Sequence, residues 1–293
     1  MAAQEPPVLT YGGQAVLEGV MLRGPRHMAV AVRGGDGAIH VERVTYDGHR
    51  SGVLGWPLVR GVVAMVDSFV LGIRALRISA RYAAAAAGED ITTGQWTAGL
   101  AIASVVAVGL FVLLPAWAAA WIRARGASVA VADLGEAAMR LGLLLGYLAS
   151  LGRLPDGRRV FAFHGAEHKV IGAFEGRRPL TVAGARGCSA RHPRCGTTFL
   201  LVVAVVASVL YVLVGWPALW QRLLLRVLLL PVVAGLAYEV LRWSARSPAG
   251  RPVAAAGLWL QVFTTREPDD AQLEVALAAL SDVMAAHGVT SVA

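Results

Sequence analysis

Residues 97–122 read TAGLAIASVVAVGLFVLLPAWAAAWI, a run without Asp, Glu, Lys or Arg. About 20 apolar residues in an α-helix, rising ~1.5 Å each, match the ~30 Å hydrocarbon core of a bilayer. This stretch is therefore expected to cross a membrane, and it frames the rest of the chain. Composition agrees, with 56% hydrophobic and 16% charged residues, against roughly a quarter charged in soluble domains. Three weaker or shorter spans follow. Residues 134–152 place Glu136 and Arg140 ahead of LGLLLGYLASLG, residues 197–220 are uncharged, and residues 223–243 are interrupted by Arg226 and Glu239.

Four crossings put both termini and the 153–196 loop on one side. That loop carries Lys169 and eight arginines, whereas the opposite side receives Arg123, Arg125 and Arg222. Positive charge marks the cytosolic side, so the expectation is a multi-pass protein of the cytoplasmic (inner) membrane with both termini and the loop in the cytosol. The partner implied is the lipid bilayer. The net charge of +8 does not imply nucleic acid, because the positives flank apolar runs and form no aromatic-interleaved basic surface. The first residues, MAAQEPPVLTYGG, show no basic and apolar leader pattern. Cys188 and Cys195 in a reducing compartment are expected as free thiols or metal ligands.

The fold class expected is mainly α and polytopic, with about four transmembrane helices, a small N-terminal β-hairpin unit and a C-terminal amphipathic helix. HMAVAVR at 27–33 and AIHVERV at 38–44 alternate around the turn GGDG, as paired strands do. TYGGQAVLEGVMLRGP at 10–25 reads as a tight, close-packed glycine loop. Residues 56–87 are helical, with Arg60, Asp67, Arg74 and Arg81 as a narrow polar stripe suited to a membrane-associated helix. From Thr264 onward Pro and acids start a helix whose Leu273, Leu277, Leu280 and Met284 share a face. The division expected is 1–55, 56–93, 94–260 and 261–293.

The chemistry concentrates in FHGAEHK, residues 163–169. On a helix His164 and His168 stand one turn apart, with Cβ atoms about 5–6 Å apart. Two imidazoles at that spacing can share a zinc ion or another divalent transition metal. Glu167 lies in the same arc, and the H-x-x-E-H order is that of metalloenzymes in which the glutamate is the base. Lys169 is the only lysine beside 26 arginines, which suggests that a compact ammonium is needed there. The alternative is an inert polar helix face. A catalytic zinc needs a third protein ligand, and CSARHPRCGTTF at 188–199 offers His192 and Cys195, with Cys188 as a further donor. Four ligands would make a closed structural site; three would leave a position open and give Glu167 work to do. Glu239 in AYEVLRW is either paired with Arg242 or a remote ligand.

The blocks GGQAVLEGVMLRGP (12–25), FHGAEHKVIGAFEG (163–176), HPRCGTTFLLVV (192–203), YEVLRW (238–243) and GLWLQVFTTREPDDAQLEVA (257–276) resemble the YqhQ-type family. These are bacterial membrane proteins of unknown function described as predicted metal-dependent enzymes. The resemblance implies a role for His164, Glu167, His168, Lys169, His192 and Cys195. It adds Arg194, and through the first block Glu18 and Arg23, as site candidates. The function expected is a zinc-dependent membrane hydrolase of unknown substrate, for which a lipid or membrane peptide would fit a site held between spans. The alternative is a non-enzymatic membrane scaffold or regulatory protein with a structural His/Cys zinc clamp.

Overall fold

The computed structural model describes residues 11–46 and 52–289. The reading of the first ten residues lies outside them. Strands β1 (Gly12–Val16), β2 (Gly19–Arg23), β3 (His27–Arg33) and β4 (Ile39–Thr45) form one antiparallel sheet in sequence order. Helices follow: α1 (Val59–Ala86), α2 (Thr93–Val108), α3 (Leu114–Ala124), α4 (Val129–Leu151), α5 (Pro155–Glu175), α6 (Val182–Arg186), α7 (Thr197–Val214), α8 (Leu219–Leu228), α9 (Leu230–Ser244), α10 (Arg251–Thr264) and α11 (Asp270–Ala286).

The glycine loop expected at 10–25 is instead the β1–β2 hairpin. Its second strand shows no polar alternation because the central strands are covered on both faces. Val20, Leu22, Ala29 and Ala31 pack with α5 and α11, whereas Met21, Met28, Val30 and Val32 pack with Leu71, Ala75 and Ile78 of α1. A strand buried on both sides reads as a continuous apolar run. The turn needs Glu18 at φ 52, an uncommon conformation for a residue with a side chain. Helix α1 bridges two parts of the fold, since its N-terminal Gly61 also sits against Gly235 and Tyr238 of α9.

Two helical stretches are long and apolar enough to cross a membrane, Thr93–Ala124 and α7, or three if the bent pair α8–α9 counts as one. In the first, the most apolar stretch is wholly unburied by protein. It runs through α2, a π-helical turn at Gly109–Leu113 and α3. Pro115 follows that turn, where its missing N–H and ring favour a local rewinding. The bend of 48° between α8 and α9 has Pro231 at its start. Helix α4, expected as a span, is not among these stretches; it carries Glu136 and Arg140.

Those two residues form an i,i+4 pair that belongs to a larger buried charge cluster. Glu136 accepts from Arg140 at 2.6 Å, from Arg222 at 2.6 Å and from Arg226 at 2.6 Å. Arg140 also donates to Ser208 of α7 at 2.7 Å. Arg222 is therefore buried inside the bundle. Helix α8 is inside out: Arg222 and Arg226 are each 2% exposed, while Trp220 and Leu228 are 66% and 61% exposed. A helix with charges inward and apolar side chains outward suits a lipid surround.

Candidate metal centre

Helix α5 starts at Pro155, whose fixed φ suits a first helical turn, and stops at Gly176. It is packed nearly all round, between the sheet and α11 on one side and the 187–196 loop on the other. Burial therefore extends to its polar residues: Glu167 is 5%, His168 2% and Lys169 3% exposed. Buried polar groups need partners, and the partners define the site.

His164 Nδ1 donates to the Thr264 carbonyl at 2.7 Å, and His168 Nδ1 donates to the Ala190 carbonyl at 2.8 Å. A carbonyl only accepts, so each ring carries its proton on Nδ1 and leaves the Nε2 lone pair free. This is the outer-shell arrangement that orients metal-ligating histidines. His164 Nε2 lies 3.2 Å from Cys195 Sγ, and the two imidazole centroids are 4.4 Å apart. One donor atom from each of His164, His168 and Cys195 falls within 4.8 Å of the others. Donors bound to one tetrahedral zinc at about 2.0–2.3 Å sit roughly 3.5 Å from each other, so the three fit one ion with small side-chain adjustments.

Burial sets the electrostatics. It pushes His168 down to about 3, helped by the neighbouring His164, and it lowers His164 as well. Both rings are therefore held neutral. Burial raises the Cys195 thiol to about 11 against the lowering effect of hydrogen bonds from Thr197, with the nearby Glu167 charge adding to the rise. Burial likewise lifts Glu167 to about 8, offset in part by the Gly13 backbone amide. A cation among these groups would favour the ionised thiol and carboxylate.

The remaining candidates stand elsewhere. His192 has its ring centroid 5.8 Å from that of His168, but its Nε2 lies 3.2 Å from Glu175 Oε2. Arg194 pairs with the other oxygen of Glu175. Lys169 donates to the Arg186 and Cys188 carbonyls at 2.8 Å each and meets Glu267 at 2.6 Å. Its three N–H bonds thus have three acceptors, and it ties the loop to α5. Cys188 donates to the Gly184 carbonyl at 3.7 Å. Glu18 pairs with Arg159 of α5, and Arg23 donates to Ser68 at 3.1 Å. Glu239 accepts from Arg60 of α1 at 2.7 Å, which joins α1 to α9, while Arg242 contributes through its charge.

Sequence reasoning missed the supports. Gln261, fully buried, accepts from the His192 amide at 2.8 Å and donates to its carbonyl at 3.0 Å. With Thr264 it lies in GLWLQVFTT, a block that stood out as a whole without any one residue advertising chemistry. Glu175 lies in the helix of the histidines, seven residues after His168. From the glycine block, Gly13 touches the site, since a Cβ there would come 3.2 Å from Glu167 Oε1 and collide with the Met21 carbonyl.

Comparison with known proteins agrees with the resemblance drawn from these blocks. The chain is 35% identical over 301 aligned residues to "Uncharacterized protein YqhQ" of Bacillus subtilis (strain 168), covering 95% of this chain and 93% of that protein. No solved structure matches. Residues 56–286 match the family model described as "Protein of unknown function (DUF1385)", and the chain belongs to that YqhQ-type family.

Proposed function

We propose that the chain is a multi-pass protein of the cytoplasmic membrane with a divalent transition-metal site, zinc by its donors, on the cytosolic side. We read that site as hydrolytic. The observation that carries the metal is the convergence of His164, His168 and Cys195 within 4.8 Å, with both Nε2 atoms freed by Nδ1 hydrogen bonds. Three protein ligands of this kind leave one position open. A metal held there would act as a Lewis acid and make water nucleophilic near neutral pH. Glu167, beside Cys195 and buried with the Gly13 amide as a partner, is the group suited to take up and return a proton. Lys169, Glu175 and Gln261 hold the loop that brings Cys195 to α5. A lipid or membrane-peptide substrate follows from a site at the end of apolar helices.

The membrane placement draws support from how the intramembrane charges are met. Glu136 is shared by three arginines of α4 and α8, with Asp133 3.9 Å from Arg222, and Arg60 meets Glu239. With these paired, α4 and the bent α8–α9 can join the two apolar stretches as four crossings, which returns both termini to the arginine-rich cytosolic side.

A second reading, a structural zinc clamp in a scaffold protein, rests on one observation. The His192 ring is 5.8 Å from that of His168, near enough for a side-chain rotation to supply a fourth ligand. Metal analysis of the purified protein with Glu167→Gln separates the two. The enzyme reading expects bound zinc in both forms and loss of the cellular phenotype in the variant. Retained zinc with an intact phenotype supports the clamp, and absence of any transition metal refutes both.

A further inference from the structure

At the cytosolic end of α4 a cavity of about 290 Å³ opens between α4, the start of α5 and the end of α10. Its polar lining is Arg153, Arg158 and Arg266; its apolar wall is Ala149, Val262 and Phe263. Arg158 Nε and Arg266 Nη2 both donate to the carbonyl of Gly152, at 3.3 and 3.4 Å. Arg153 donates to Ala149 of its own helix at 3.0 Å. Among the described residues no carboxylate pairs with any of the three, and the two terminal nitrogens of Arg158 have no hydrogen-bond partner. Two acids, Glu267 and Asp269, line a neighbouring cavity that shares Arg158 and Arg266 with this one, and they are committed. Glu267 is held by Lys169, and Asp269 caps α11.

Three guanidinium groups gathered on a helix C-terminus, without a counter-charge, lower their mutual repulsion when an anion enters. Guanidinium forks suit phosphate oxygens in particular. The apolar wall argues against a free inorganic ion. Val262 is 44% and the adjacent Trp259 51% exposed, so the rim continues into an apolar surface. Helix α10 lies beside the first turn of α7, where Gly257 meets Thr198, which sets the cavity at the cytosolic end of an apolar stretch. Arginine pockets at that level of a membrane protein accept anionic headgroups.

We infer that this cavity binds the phosphate headgroup of an anionic phospholipid of the inner leaflet, with Arg153, Arg158 and Arg266 as its ligands. The inference rests on the membrane placement proposed above and not on the metal, because none of the residues lining the cavity is among the candidate metal ligands.

The test is lipid titration of the purified full chain in neutral detergent, read by native mass spectrometry, with phosphatidylglycerol, phosphatidylcholine and inorganic phosphate as separate probes. Phosphatidylglycerol should bind at least about tenfold more tightly than phosphatidylcholine, as charge-assisted contacts require. The double variant Arg158→Gln/Arg266→Gln should abolish that preference while its zinc content stays that of the parent. Arg123→Gln/Arg125→Gln, with the same charge removed at the far side, should leave it intact. If the double variant does not fold, the exposed Arg153→Gln should still weaken phosphatidylglycerol about threefold or more. Equal binding of the two lipids, equal loss in the far-side variant, or full displacement by equimolar inorganic phosphate would each overturn the inference. Failure of the chain to stay with membranes under carbonate extraction would instead sink the placement on which it rests.

Discussion

If zinc binds at His164, His168 and Cys195, protons must leave, and the burial of these groups sets how many. Both imidazoles are held neutral by burial, so they release none. The Cys195 thiol, lifted to about 11, must ionise to bind, which at pH 7 costs about 5 kcal/mol. Glu167, lifted to about 8, is protonated in the metal-free protein at pH 6–8 and is drawn to its anion by a dication next to it. Two protons therefore leave below pH 8. Protons compete with metal, so affinity rises with pH, by about 100-fold per unit between pH 6 and 8 and about tenfold per unit above. Glu167→Gln removes one proton from the count and should flatten the lower range to about tenfold per unit. Competition with a chromophoric chelator across pH 6–9 measures the slope, and calorimetry in buffers of different ionisation enthalpy counts the protons directly. Identical slopes for the parent and Glu167→Gln would refute the claim that Glu167 senses the metal. A slope untouched by Cys195→Ser would remove Cys195 from the ligand set.

Other perturbations have equally definite outcomes. Glu136→Gln leaves Arg140, Arg222 and Arg226 without their shared anion and should destabilise the helical bundle by about 3–5 kcal/mol, read by denaturant unfolding in detergent. Lys169→Met strips the Arg186 and Cys188 carbonyls of their donor; proteolysis in the 186–195 loop should rise and zinc affinity should fall. Lys169→Arg should not rescue it, because a planar fork cannot serve the same three acceptors. Gly165→Ala drives a Cβ into the Arg266 backbone carbonyl, so it should lower stability by about 1–3 kcal/mol or more despite its small size.

What was legible in the sequence was whatever depends on periodicity or run length. The 97–122 stretch announced an apolar helix because nothing in it needed a partner, and HMAVAVR announced a strand at once. The β1–β2 hairpin stayed hidden because Val20, Met21 and Leu22 are all buried, so the period of two vanishes. FHGAEHK and HPRC could be joined because two ring spacings and a thiol carry chemistry by residue type alone. Their supports could not, since the Thr264 and Ala190 carbonyls are backbone groups that any residue would supply. Partner choice among charges was also beyond local spacing. Glu239 had Arg242 three residues away and took Arg60, which lies 179 residues distant in the chain.

The central claim is that one chain holds one transition-metal ion through His164, His168 and Cys195. Elemental analysis by inductively coupled plasma mass spectrometry of the protein purified without chelators tests it most directly. The account predicts about one zinc, or another divalent transition metal, per chain, lost on His164→Ala, His168→Ala or Cys195→Ser and retained in the Cys188→Ser and Glu239→Gln controls. A folded protein with no metal, or with metal indifferent to those three substitutions, would contradict it.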